Sequence, residues 1–141
     1  MSEKNTQNVV SMSGTKQQQI KVGDLVLFDK YFIDDNISYK NGVFTFEKSG
    51  TYNINFSIYL ESMKMPSANI SVSSNTENFV VSIKGIDDIS TAHSMVIPCS
   101  FSRKFKRGDN LKMRNVSKGA ILLMPNFNEG IGSIISINKL N

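Results

Sequence analysis

Tyr52-Asn53-Ile54-Asn55-Phe56-Ser57-Ile58-Tyr59-Leu60 alternates without a break, and its even positions are all apolar. A strand sends successive side chains to opposite faces, so this stretch has one apolar face and one mostly polar face. No three-and-four spacing competes with that reading. Gly50 before it and Pro66 after it punctuate the run. The stretch predicts a strand with one side against a core, and it decides the fold class as all-β.

The same period extends outward. Val43, Phe44 and Phe46 follow the turn pair Asn41-Gly42. Leu25 to Phe28, after Gly23, reads as a short strand buried on both faces. Ile70 with Val72, and Phe79 with Val81 and Ile83, predict two more. Met95, Ile97, Phe101 and Phe105 keep one parity through a longer strand, where Pro98 implies an edge or a bulge. Arg107-Gly108-Asp109-Asn110 turns the chain into Leu111, Met113 and Asn115. Ile121 to Met124 and Ile134 to Leu140 complete the series. Helix caps and helical periodicity are missing. About eight to ten short strands at regular spacing indicate an antiparallel sandwich or a barrel.

Residues 1–18 are rich in Ser, Asn, Gln, Thr and Lys, a composition that buries too little surface to offset its ordering entropy. They read as a polar tail or connector, and residues 19–141 as one domain. The start has no apolar run after Lys4, so no secretory signal is expected, and no stretch is long enough for a membrane-spanning helix.

The 141 residues carry a formal charge of +4, with 40% hydrophobic and 20% charged residues. Arginine occurs only at Arg103, Arg107 and Arg114, without interleaved aromatics in number, so nucleic acid is not the expected partner. Basic residues do gather around one turn: Arg103, Lys104, Lys106, Arg107, Lys112, Arg114 and Lys118. They form a candidate site for an anionic ligand such as a sulfated glycan or teichoic acid, or else a solvated strand edge that discourages edge pairing. Ser117, beside Lys118, reads as a surface position tolerant of added charge.

Catalysis has little to work with. His93 and Cys99 lie in one apparent strand, roughly 20 Å apart at about 3.3 Å per residue, so they form no dyad. Cys99 is the single cysteine and reads as a small buried thiol, with no disulfide and no metal clip. Asp34 and Asp35 near Asn36 form an oxygen-rich loop, and Asp87-Asp88 a second pair, but adjacent carboxylates read better as solvated turns than as a calcium site. Arg107-Gly108-Asp109 spells an adhesion tripeptide at a hairpin tip, where Gly-Asp is also what a tight turn requires. Phosphate loops, zinc spacings and dinucleotide fingerprints are absent, so neither a cofactor nor a metal is expected.

Gly42-Val43-Phe44, Gly50-Thr51-Tyr52 leading to Phe56, Phe105-Lys106-Arg107-Gly108-Asp109 before Leu111, and Gly132-Ser133-Ile134-Ile135-Ser136-Ile137 together carry a resemblance. From Ile20 to Leu140 the chain resembles the globular heads of the complement and tumour necrosis factor (TNF) jelly-roll superfamily. Its flavour is nearest to the C-terminal domain of collagen-like spore glycoproteins of the BclA type. The resemblance implies an antiparallel jelly-roll sandwich of about ten strands, assembled as a homotrimer with the final strand at the subunit interface. No Gly-X-Y stalk is present, so a stalk's role would pass to the polar leader or to a partner.

The residues point to the same assembly. Ile134 and Leu140 share one face of the last strand, and Ile135 and Ile137 the other. A strand apolar on both sides needs two partners: a core and a neighbouring subunit, or two layers of a single sandwich. Tyr59 lies on the face of its strand opposite Tyr52 to Leu60, which makes it a further interface candidate. The expected function is a non-enzymatic trimeric structural or binding head on a bacterial spore coat or exosporium, docked to its particle through the N-terminal segment. The alternative is a bacteriophage virion decoration or receptor-binding head.

Overall fold

The computed structural model describes residues 9–13, 17–33, 35–61, 68–74, 80–84, 94–123 and 133–141. The strands, in order, are β1 (Val9–Ser13), β2 (Gln18–Ile20), β3 (Lys30–Phe32), β4 (Ile37–Lys40), β5 (Val43–Phe46) and β6 (Gly50–Glu61). They continue with β7 (Asn69–Ser73), β8 (Val80–Lys84), β9 (Ser94–Phe105), β10 (Asn110–Asn115), β11 (Ile121–Leu123) and β12 (Ile134–Lys139). Among the described residues no helix is long and apolar enough to cross a membrane.

Two antiparallel sheets face each other. The first runs β2-β11-β6-β12-β1-β3, with β9 on the far side of β6; the second runs β4-β5-β10-β7-β8. The alternation read in the sequence now has a physical face: Tyr52, Ile54, Phe56, Ile58 and Leu60 all point into the core. Ile135 and Ile137 from β12, Val10 from β1, and Phe44, Phe46, Leu111, Met113, Ile70 and Val72 from the second sheet close over them. Phe46 stacks on Phe105 with ring centroids 4.0 Å apart and meets Tyr52 at 4.6 Å. The Tyr52 hydroxyl escapes an apolar burial by donating to Lys48 O at 2.7 Å.

The β4–β5 hairpin turns on Asn41 (φ 49°) and Gly42 (φ 88°), the doubly left-handed pair that a two-residue hairpin demands. β9 pairs with β6 in unbroken register from Gly50↔Phe105 to Glu61↔Ser94. Pro98 therefore makes no bulge; it sits on the edge strand of its sheet, where a missing N–H is tolerated.

Three expectations change. Residues 9–13, read as part of the connector, are strand β1, inserted between β12 and β3, with Val10 fully buried. The Val9-Val10 pair supplies apolar character that the average over residues 1–18 hid. Leu25 to Phe28 is not a strand buried on both faces. It touches β10 through the single bridge Leu25↔Arg114, and Val26 N donates to Met113 O at 2.9 Å. Val26 and Phe28 turn inward while Leu27 is 47% exposed, so the segment is one-sided. Finally, Ser117 is buried, not a free surface position. It donates its hydroxyl to Asn69 O at 3.2 Å, accepts from Asn69 N at 2.7 Å, and its own N–H donates to Asn115 Oδ1 at 2.8 Å. Phe79 falls outside the described residues.

Candidate assembly face and cationic end

The outer side of the first sheet carries the odd positions of β6 and the even positions of β9 and β12. Thr51, Asn53, Asn55, Ser57 and Tyr59 thus lie beside Pro98, Ser100, Ser102 and Lys104 on one flank. Ile134, Ser136 and Asn138 lie on the other. The polar members pair across strands: Ser100 Oγ donates to Asn55 Oδ1, and Ser102 Oγ donates to Asn53 Oδ1 at 3.3 Å. Because most of these side chains are short, the face is low, and a shallow depression of about 510 Å³ opens between Asn55, Ser57, Pro98, Ser100, Ile134 and Ser136.

Tyr59 stands half-buried on this face; its backbone N–H donates to Ser133 Oγ at 3.3 Å. Ile134 is half-buried, and Leu140 is 46% exposed, anchored by its N–H to Thr51 O at 2.7 Å. Ile135 and Ile137 point the opposite way and are fully enclosed within one chain's core. Of the five residues named from the sequence, Tyr59, Ile134 and Leu140 therefore present surface outside the sandwich.

The basic residues divide between two sheets, because residues 106–109 are not a hairpin tip. β9 pairs with β6 in one sheet and β10 with β5 and β7 in the other, so the turn is an arch between layers. Lys104 lies on the outer side of the first sheet, opposite Thr51, while Arg103 shares the inward side with Tyr52. Lys112 and Arg114 lie on the outer side of the second sheet, alternating with the buried Leu111 and Met113. Lys112 donates to Asn110 Oδ1 at 3.4 Å, and Arg114 donates to Gly23 O. Lys106 and Arg107 occupy the arch itself and are exposed.

That arch also settles the tripeptide. Gly108 takes φ 93°, its N–H donates to Phe46 O at 2.8 Å, and Asp109 N donates back to Lys106 O at 2.9 Å. Asp109 is 8% exposed, with Oδ2 accepting from Lys106 N at 2.8 Å. A carboxylate turned into its own arch is not displayed to a receptor; Gly-Asp serves the turn.

The sequence reading missed two cations at this end. Lys48 sits in the β5–β6 connection, next to Ser49, whose Oγ accepts from Arg107 N at 3.0 Å. Lys139, at the end of β12, lays its side chain over Gly50, where a Cβ would meet Nζ at 3.1 Å. Neither was visible as part of the cluster, since register across β12, β6 and β9 brings them there and chain proximity does not.

Cys99 is half-buried, and burial pushes its thiol above its ordinary value. His93, Asp34, Asp87 and Asp88 lie outside the described residues. Asp35 is exposed and pairs with Lys48 at 3.8 Å. Among the described residues no three His, Cys, Asp or Glu side chains group as metal ligands.

No protein-family model matches the sequence, and no curated protein matches it either. Solved structures do match in three dimensions. The globular domain of zebrafish complement 1qA aligns with TM-score 0.73 at 16% identity, covering 95% of this chain and 98% of that one. Murine APRIL at pH 8.0 aligns with TM-score 0.71 at 11% identity, covering 95% and 99%. The Eiger TNF of S. frugiperda aligns with TM-score 0.70 at 16% identity, covering 97% and 94%. The chain has the antiparallel jelly-roll fold shared by complement 1q globular domains and TNF-like proteins.

Proposed function

We propose that this chain is a non-enzymatic head that assembles as a homotrimer and serves a structural or binding role on a bacterial spore surface. The observation that carries the assembly is the outer side of the first sheet. It is low, Ser100 and Ser102 are paired with Asn55 and Asn53 across strands, and Tyr59, Ile134 and Leu140 give it apolar relief. Paired polar groups lose little when water leaves, and an aromatic with a polar tip suits a desolvated contact. Light scattering on the isolated chain tests it: the expected mass is three times 15.7 kDa, and a mass of one chain at micromolar concentration removes the trimer.

The spore placement draws on the BclA-type resemblance, and docking falls to residues 1–8, because residues 9–13 are built into the sheet. Recovery of tagged protein in the outermost spore fraction supports the placement. Recovery in phage particles instead, or neighbouring genes for tail or capsid parts, moves the head to a virion.

A further inference from the structure

One end of the sandwich gathers five cations, four of them exposed and Lys139 half-buried. Lys104 and Lys106 leave β9 and enter the arch, Arg107 touches Ser49, Lys48 precedes it, and Lys139 reaches over Gly50 from β12. Each carboxylate there holds a partner, and Asp35 is matched by a cation. Asp109 folds inward onto Lys106 N at 2.8 Å, Glu47 accepts from Ser38 Oγ at 2.8 Å, and Asp35 meets Lys48 at 3.8 Å. Among the described residues Lys104, Lys106, Arg107 and Lys139 form no ion pair.

The geometry favours a long ligand over a small one. Lys104 lies on the outer side of the first sheet and Lys139, opposite Tyr52, on the inner parity, so the cations wrap around the end of β12, β6 and β9, about 4.8 Å per strand or roughly 10 Å across, and continue onto the arch. All but the half-buried Lys139 are exposed, and among the described residues no buried polar group is aimed among them to grip a single ion. Exposed charges in water are each weak and screened by salt, so useful affinity requires several at once. A flexible chain with an anion at each repeat satisfies that; one free anion does not.

We propose that this cationic end binds a linear polyanion bearing repeated phosphate or sulfate groups. The inference rests on the reading of the chain as a binding head, but not on its being a trimer. Lys112 and Arg114, on the outer side of the other sheet, and Lys118, past the end of β10 remote from the arch, are no part of the site.

The test uses the full chain, with long-chain polyphosphate and heparin as separate probes and inorganic phosphate as the monomeric control. Polyphosphate binding identifies phosphate as the recognised group, and heparin binding identifies sulfate. The Lys104→Gln/Lys106→Gln/Arg107→Gln variant should weaken binding roughly tenfold or more and lower the salt slope by about 2 to 3. A charge-matched Lys21→Gln/Lys40→Gln/Lys118→Gln variant, with all three exposed lysines elsewhere, should stay within about twofold. No binding to either polymer, equal weakening by both variants, phosphate bound as tightly as the polymers, or tighter binding of duplex DNA would each overturn the inference. Light scattering on the same samples reports the trimer separately, so failure of the site is distinguishable from failure of the assembly.

Discussion

Asn115 is fully buried and joins three segments. Its Nδ2 donates to Ile20 O at 2.9 Å and to Gly119 O at 3.0 Å, while Oδ1 accepts from Ser117 N at 2.8 Å. Its backbone N–H donates to Asp24 O at 2.9 Å. Asn115→Ala strands two carbonyls and one amide, each costing about 1–3 kcal/mol when buried without a partner. Gly119 is half-buried and can regain water, so the expected loss is about 3–5 kcal/mol. With a urea slope of about 2 kcal/mol per molar, the midpoint falls by roughly 2 M.

Asn115→Asp sharpens the test because it keeps the shape. The new oxygen faces two carbonyls; protonated, it donates to one of them, and ionised, to neither. The folded state therefore holds this carboxyl above its unfolded value of about 3.9. A raised folded value means the variant loses stability as pH rises through the unfolded value, levelling off above the folded one. Urea unfolding followed by circular dichroism, at one protein concentration, should show a larger deficit near pH 7 than near pH 4. If Asn115→Asp lies within about 0.5 kcal/mol of wild type at pH 7, or its deficit does not shrink in acid, Asn115 is not the clamp described.

Deleting residues 1–8 should leave the melting temperature unchanged, whereas deleting residues 1–18 removes β1. Burial of Val10 alone is worth about 1.5–3 kcal/mol, so differential scanning calorimetry should show a fall of at least roughly 5 °C. Tyr59→Lys should convert the proposed trimer to monomer or make it insoluble, by placing like charges on its contact face; Ser38→Lys, exposed on the outer side of the second sheet, should not, and light scattering compares them. Cys99 should alkylate with iodoacetamide more slowly in the folded protein than in urea, with the folded rate still climbing at pH values where the unfolded thiol has levelled off.

The strands that could be read in advance share one property: their signal is local. Tyr52 to Leu60 alternates by itself, Asn41-Gly42 forms its turn by itself, and Gly108 and Asp109 close an arch within a few residues. What the sequence hid depends on pairing between distant segments. Val10 sits beside Val9 in a mostly polar segment and becomes a core residue only because β12 and β3 flank its strand. Asn115 keeps the inward parity of Leu111 and Met113, yet nothing nearby reveals that Ile20 and Gly119 await its amide. The basic cluster was legible as composition but not as a surface, since the arch at residues 106–109 carries consecutive cations onto different layers. Conversely, Lys48 and Lys139, far apart in the chain, meet at one end.

The position of β1 also sets an order of events. Val9 pairs with Asn138 and Ser13 with Ile134, so two segments more than 120 residues apart in sequence complete one ladder. Until residues 134–139 are in place, β6 has only β9 beside it along Tyr52 to Ser57, and the core lacks Ile135 and Ile137. Long-range antiparallel pairing of this kind folds slowly and leaves unpaired edges exposed while it waits. Closure of the first sheet therefore depends on residues 134–139, and a chain cut short before Ile134 leaves both β1 and one side of β6 unpaired.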